Sequence, residues 1–312
     1  MSKPRILFMG TPEFALPSLK ALIESPYSII GVVTQPDRPK GRGRHLVPPP
    51  VKILAEEQGL SIWQPEKVRE PGFIEFFNNM APDLVAVVAF GQILPSQIVF
   101  LPPFGCINVH PSLLPKYRGA APMNWTLIQG ETRTGMTIIL MDEGMDSGDI
   151  LLQKEIPVEP EDYYDMLHDR LADMGAKMLL KSIKGKLDNT IAGIPQDHTR
   201  ATFAPRLKKE DGLIQWDQDG RSIINRIRGL SSFPGAYTFL EGKMLKIYKA
   251  DFKESPVIEK PGTVVVECPE GLCIAAGNGH ILLTDIQMEN RRRMPVHEFL
   301  RGFRLHPGLK LG

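Results

Sequence analysis

Leu84-Val85-Ala86-Val87-Val88-Ala89 is an apolar run with no polar residue at either parity. A strand of this kind is buried on both faces, which is how the strands of a parallel sheet read. The same character recurs upstream. Arg5-Ile6-Leu7-Phe8-Met9-Gly10 is a short apolar run ending in glycine, and Ile29-Ile30-Gly31-Val32-Val33 is β-branched and nearly continuous. Between them, residues 12–25 place Phe14, Leu16, Leu19, Leu22 and Ile23 at helical spacing. Further helical patterns fall at residues 51–58 and 73–80, and further strand patterns at 105–110 and 136–141. Strands alternating with helices give βαβ units. Residues 1–189 are therefore expected to form an α/β domain around a mostly parallel sheet.

The pattern changes near residue 190. Residues 190–207 show no clear period and read as a linker. In residues 208–312, short strand-like runs follow at close spacing: 236–240, 244–250, 263–267, 272–276 and 281–286. Helical patterns near 221–229 and 296–303 interrupt them. Such spacing predicts a small barrel or sandwich.

Composition bounds the partners. The 312 residues are 42% hydrophobic and 23% charged, which excludes a disordered, collagen-like or coiled-coil chain. No apolar run approaches the roughly 20 residues that span a bilayer. The apolar stretch near the start, Ile6 to Met9, is too short for a signal-peptide core. Three cysteines, Cys106, Cys268 and Cys273, would leave one over from any pairing. A cytoplasmic protein with no membrane contact is expected, and nothing demands more than a monomer. The formal net charge of +1 conceals an uneven distribution. Residues 1–207 hold 21 Lys+Arg and 23 Asp+Glu, whereas residues 208–312 hold 16 and 13. Residues 38–44 carry four cations and no acid.

Three stretches could carry chemistry. In Asn108-Val109-His110-Pro111, a strand's period of two places the amide and the imidazole on one face. They would stand at the carboxyl end of a central strand, where open α/β sheets bind ligands. Both side chains can donate hydrogen bonds to a developing oxyanion. The second stretch, Asp142-Glu143-Gly144-Met145-Asp146-Ser147-Gly148-Asp149, follows a strand pattern and so is also expected at a carboxyl end. It is not a calcium loop: Gly144 and Gln153 stand where oxygen ligands are required. A carboxylate from it that reached His110 would favour the charged ring. The third is the long connection after the second strand, with Arg38, Lys40, Arg42 and Arg44. It exceeds the usual βα connection of about 2–6 residues, and its cations suit nucleic-acid phosphates. Arg206, Lys208 and Lys209, and Arg291 to Arg293 with Arg301 and Arg304, could extend such a surface. No G-x-G-x-x-G, P-loop, zinc or nucleophile-elbow pattern is present, which argues against nicotinamide chemistry.

From Asn108 to Gly119 the chain reads Asn-Val-His-Pro-Ser-Leu-Leu-Pro-Lys-Tyr-Arg-Gly, and Asp146 follows at the expected interval. Here the sequence resembles the 10-formyltetrahydrofolate-dependent formyltransferases. Residues 8–15, and 35–39 continuing into 41–43, are similar to the branch of that family acting on methionyl-tRNA. The resemblance covers nearly the whole chain. It implies a Rossmann-like catalytic domain over residues 1–189, then an OB-like tRNA-binding barrel over 208–312. The implied activity is formyl transfer from 10-formyltetrahydrofolate to the α-amino group of methionine on initiator tRNA, for translation initiation, without a metal. Asn108, His110 and Asp146 fall on the family's catalytic positions. Ser112, Leu113, Leu114 and Pro115 fall on its folate-contacting stretch. Main chain around Phe90, Gly91, Ile93 and Leu94, and near Asp142, would line the pterin pocket. Arg38, Lys40, Arg42 and Arg44 fall on the tRNA-reading insertion, with Arg42 probing the end of the acceptor stem. Two other readings stay open at this point: a formyltransferase for a nucleotide-linked sugar, and a non-catalytic RNA-binding protein on the same scaffold.

Overall fold

The apolar run at residues 84–88 is the strand that joins the two halves of a seven-stranded sheet. In the computed structural model, residues 3–40, 45–265, 271–304, 306 and 308–312 are described. They form two compact units. One unit comprises Met1–Gly119, Thr134–Pro157 and His168–Phe203; the other comprises Ala120–Arg133, Val158–Leu167 and Ala204–Gly312. Residues 120–133 and 158–167, which a single cut at 190–207 leaves with the first domain, thus group with the C-terminal strands.

The first unit is built on β1 (Arg5–Gly10), β2 (Ser28–Val33), β3 (Ile62–Trp63), β4 (Leu84–Val88), β5 (Cys106–His110), β6 (Arg133–Leu140) and β7 (Ile150–Pro157). Their order in the sheet is β7-β6-β5-β4-β1-β2-β3. β1, β2, β3, β4 and β5 pair parallel with their neighbours, and β6 runs antiparallel to β5. The sheet is mostly parallel, as its apolar strands predict. In register, Leu7 meets Val85 and Met9 meets Val87. These four pack on one face with Phe77 of α3 (Pro71–Met80), which follows α1 (Leu16–Ile23) and α2 (Pro50–Glu57).

Two large elements have no clear counterpart in the sequence pattern. β7 is an edge strand whose Gln153, Lys154 and Glu155 are exposed, so it carries no unbroken apolar run. The longest helix spans Tyr164–Leu187. Its charged face dilutes the buried stripe of Leu171, Ala172, Leu179 and Ile183.

The second unit is an antiparallel sheet of β8 (Ala236–Leu240), β9 (Lys243–Glu254), β10 (Val264–Val265), β11 (Leu272–Ala276) and β12 (Gly279–Met288), in the order β8-β9-β12-β11-β10. A short β13 (Met294–Pro295) adds to β12. The β9–β12 register shifts at Lys249, a bulge that bends the sheet. The chain's last residues then link the two edges. Leu311 bridges Leu240 of β8, and Lys310 bridges Thr263 beside β10. Pairing both edges in this way removes the open ends that would otherwise attract other strands.

Residues 120–133 and 158–167 join this unit through apolar packing of Ala121, Trp125, Ile128 and Tyr163 on its core and through polar contacts. The Asn124 amide, on the helix Pro122–Ile128, donates to the Gly229 carbonyl at 2.8 Å. Gly229 ends the helix Gly220–Gly229, which buries Ile223 and Ile227. The Arg228 guanidinium donates to the Glu159 and Asp162 carbonyls at 2.7 Å each. Burial pushes the Arg228 pKa down from its ordinary value.

Leu7 is fully buried. Leu7→Ala is expected to lower the stability of this unit by about 2–5 kcal/mol, read as a shift in its urea transition. A change under about 1 kcal/mol would mean that this face repacks without a cavity. Burial also pushes the Cys106 thiol up to about 12. At pH 8 the folded protein should keep Cys106 unmodified by iodoacetamide, and urea should expose it to alkylation, as peptide mass mapping will read.

Candidate active site

β5 delivers Asn108 and His110. Asn108 lies opposite Val87 of β4 and Ile139 of β6, and His110 lies opposite Thr137. Val109 faces the long helix, where a Cβ on Gly175 would stand 2.8 Å from its Cγ1. Asn108 and His110 therefore share the other face, as the strand's period requires.

Asp146 arrives by a route the sequence did not suggest. Because β6 runs antiparallel, its carboxyl end lies beside the start of β5, where the Met141 N–H donates to the Cys106 carbonyl at 2.8 Å. The expectation that residues 142–149 share a sheet edge with His110 is corrected on that ground. The loop instead folds back along the sheet. Leu140 N–H donates to the Asp149 carbonyl at 2.9 Å. A Cβ on Gly148 would stand 1.9 Å from the Leu140 carbonyl oxygen, so only glycine permits the approach. The Asp142 carboxylate accepts from Gly144 N–H at 3.0 Å and from the Ser147 hydroxyl at 2.7 Å, which closes the turn.

The three side chains meet at the end of that path. Asp146 Oδ1 accepts from the Asn108 amide at 3.3 Å. Its Oδ2 lies 3.5 Å from His110 Nδ1 and accepts the Gly119 N–H at 2.8 Å. His110 Nε2 lies 2.9 Å from the Tyr117 carbonyl. Both ring nitrogens thus face acceptors. His110 is 4% exposed, so its ring is shielded from water. Asp146 and Tyr117 both adopt left-handed backbone conformations, with φ of 49° and 61°.

The residues assigned to folate divide into two groups. Ser112 is fully buried and its hydroxyl donates to the Lys116 carbonyl at 2.7 Å. Thr137 fastens the same loop: its hydroxyl donates to the Ser112 carbonyl at 2.6 Å and accepts from Leu114 N–H at 3.2 Å. The Gln153 amide reaches the Leu114 carbonyl at 2.9 Å. Leu114, Phe90 and Leu94 are buried, and Leu113 and Pro115 are half-buried. Ile93 by contrast is 82% exposed, and its neighbour Gly91 is exposed with a φ of 88°. The Phe90 carbonyl accepts from the Thr11 hydroxyl at 2.9 Å and the Gln35 amide at 3.3 Å. This ties the ends of β1, β2 and β4 together.

The basic connection is a two-stranded arm, in which Arg38–Lys40 pairs antiparallel with His45–Val47. Arg42 and Arg44 lie outside the described residues. The arm's base is pinned by Asp37, whose carboxylate accepts from Gln64 at 2.8 Å and from Lys52 at 2.8 Å. The Gln64 amide, and then Lys52, hold its carboxyl below the usual carboxylate range. Arg38 is paired with Glu66 at 2.9 Å. In the second unit, Arg293 donates to both oxygens of Asp285 and stacks over Tyr248 at 4.2 Å, and Arg292 pairs with Glu298.

Several residues around the trio escaped the sequence reading. Tyr117 and Gly119 act through main-chain atoms, which no motif of side chains reveals. Thr137 interrupts an apolar strand, a signal that was available. Gln196 lies in the stretch read as a linker. Among the described residues, no group of three or more His, Cys, Asp or Glu side chains is placed to hold a metal ion. No helix of the described residues is long and apolar enough to cross a membrane.

Comparison with known proteins places the chain in a family. Residues 4–183 match the family described as formyl transferase, and residues 206–304 match formyl transferase, C-terminal domain. The chain is 56% identical over 312 residues to a methionyl-tRNA formyltransferase of Syntrophus aciditrophicus (strain SB), covering 100% of both chains. It is 49% identical to a methionyl-tRNA formyltransferase of Geobacter sulfurreducens, covering 100% of this chain and 98% of the relative. Among solved structures, it shares the fold of WlaRD, a sugar 3N-formyl transferase, with a TM-score of 0.65 and 19% identity over 94% of this chain and 100% of that one. Matched in both of its parts and aligned with its relatives from end to end, the chain belongs to the formyltransferase family.

Proposed function

We propose that this chain transfers the formyl group of 10-formyltetrahydrofolate to the α-amino group of methionine on initiator methionyl-tRNA. The observation that carries the reading is the meeting of Asn108, His110 and Asp146 at one strand end, in a chain 56% identical throughout to a methionyl-tRNA formyltransferase. In the reaction the amine nitrogen bonds to the formyl carbon, and the bond from that carbon to N10 of the folate breaks. The formyl oxygen carries negative charge between these events. The Asn108 amide spends one N–H on Asp146 and has a second for that oxygen. His110 supplies the other donor by exchanging the Tyr117 carbonyl, its present partner, for the oxyanion. Asp146 keeps the ring oriented and accepts the proton that the attacking amine must lose, directly or through water. That proton ends on N10 of the departing folate, so no other reactant is needed.

Residues 90–94 and 112–115 form the folate side, with exposed Ile93 and the adjacent main chain presented to the ligand. The arm from Arg38 to Arg44 forms the tRNA side. Its base is fixed at Asp37 by Lys52 and Gln64. The second unit extends the tRNA surface as an OB-like barrel.

Asn108→Ala, His110→Ala and Asp146→Asn should each lower kcat by roughly 10²–10³ while leaving the folded protein intact by circular dichroism. Near-wild-type turnover in any of them would remove that residue from the mechanism. Arg42→Ala should raise the KM for methionyl-tRNA and leave the KM for the folate unchanged. Phosphate contacts also require tRNA affinity to fall linearly on a log–log plot against salt. An equal effect of Arg42→Ala on both substrates would sink the division of labour. The assay is run with initiator methionyl-tRNA, elongator methionyl-tRNA and an amino-sugar nucleotide as acceptors. Transfer to the sugar alone would overturn the choice of acceptor.

A further inference from the structure

Asp146 is held from two directions by one short stretch of chain. Gly119 N–H binds its carboxylate, and the side chain of the preceding residue, Arg118, governs its main chain through an intermediary. That intermediary is Gln196. Its amide nitrogen donates to the carbonyls of Asp146 and Gly148, both at 2.8 Å. Its amide oxygen accepts from Arg118 Nε at 3.2 Å and Nη2 at 2.6 Å. Arg118 Nη2 also contacts His198 Nδ1 at 3.0 Å. Arg118 and Gln196 are each only 6% exposed. A guanidinium this deep needs its donors satisfied, and a Gln that donates twice and accepts twice has every hydrogen-bonding group committed.

We infer that Gln196 is a positioning residue for the formyl transfer, fixing the left-handed turn that aims the Asp146 carboxylate at His110. This rests on the function proposed above. A left-handed aspartate costs free energy, and the Gln196 amide holds the main chain of that turn from outside the loop, beside the Asn108 and Gly119 donors that hold its carboxylate. The two carbonyls that Gln196 grips flank Ser147, within the turn itself. The restraint is itself anchored. Tyr117 N–H donates to the Thr202 hydroxyl at 2.9 Å, and Arg118 N–H donates to the Thr202 carbonyl at 2.9 Å. Residues 196–202 therefore form the wall behind the site, although their sequence has the irregularity of a linker. Tyr117, Arg118 and Gly119 in turn contact His110, Gln196 and Asp146 in order, so both proton-handling groups are set from one tripeptide.

The test is Gln196→Glu. A carboxylate keeps Arg118 partnered, so the protein folds, but it has no hydrogens for the carbonyls of Asp146 and Gly148. The expected result is a still cooperative thermal transition at a lowered midpoint, with kcat lowered about 10- to 100-fold. KM for both substrates should change by less than about threefold, since Gln196 is buried and its amide is fully committed within the protein. Should Gln196→Glu fail to unfold cooperatively, Gln196→Asn serves in its place. It keeps the amide but draws it back by one methylene, and the same selective loss of kcat is expected. A folded variant with kcat within about twofold of wild type overturns the inference, and so does a loss confined to KM. Wild-type protein runs alongside. If it transfers no formyl group to methionyl-tRNA, the proposed function falls and takes this inference with it; if wild type is active and the variants are too, this inference alone falls.

Discussion

The candidate site depends on bringing one carboxylate to one imidazole against the direction of the strand that delivers it. β6 leaves the sheet beside Cys106, not beside His110, and the chain must double back before Asp146 can reach its partners. That reversal explains the local chemistry. Gly148 is required where the loop passes the Leu140 carbonyl, and Asp142 and Ser147 close the turn. A non-glycine residue in the left-handed region costs of order 1–3 kcal/mol. Asp146 can be held there because its carboxylate gains the Asn108 and Gly119 donors. A hydrogen bond to a charged group is worth about 1.5–3 kcal/mol, enough to offset the strain.

The parallel core was legible because burial on both faces leaves one unambiguous pattern. Leu84–Val88 and Arg5–Gly10 have it, and both lie in the sheet near where the apolar runs put them. The edge strand Ile150–Pro157 and the helix Tyr164–Leu187 were not legible, since each has one wet face and their polar residues blur the period. The barrel strands were found individually. Their closure was not, because Leu311 and Lys310 bridge edges formed by residues far away in sequence. No local pattern encodes such a pairing.

The site shows the same division. Asn108 and His110 are two apart on one strand, so spacing alone put them together. A carboxylate reaching His110 was sought in the acidic loop, and Asp146 of that loop does lie beside the ring, but not because the loop leaves the sheet at the same edge. Sequence assigns the loop to a strand end, and only the sheet's topology says which edge that end occupies. The supports around the trio were hidden for a different reason. Tyr117 and Gly119 contribute a carbonyl and an N–H, which every residue carries. Gln196 contributes a side chain whose purpose is defined by Arg118 and by two carbonyls some fifty residues earlier.

Charge is where sequence counting misleads most. The excess of cations in residues 208–312 includes Arg292 and Arg293, and both are tied to acids, Arg293 by a fork of bonds to Asp285 and a stack on Tyr248. Asp285 keeps the Arg293 guanidinium charged, its pKa raised, but also neutralises its field at short range. A paired arginine can meet a phosphate only by giving up or sharing its carboxylate, so it contributes less to a polyanion site than its formal charge suggests. The arm differs because Arg38, Lys40, Arg42 and Arg44 follow one another with no acid among them, and the ion pair that Arg38 makes with Glu66 is exposed at its base. An exposed pair of that kind is worth at most about 1 kcal/mol, little enough for a phosphate to replace. The near-zero net charge of the chain is therefore compatible with a polyanionic substrate, because what a phosphate backbone meets is local density of cations rather than a total.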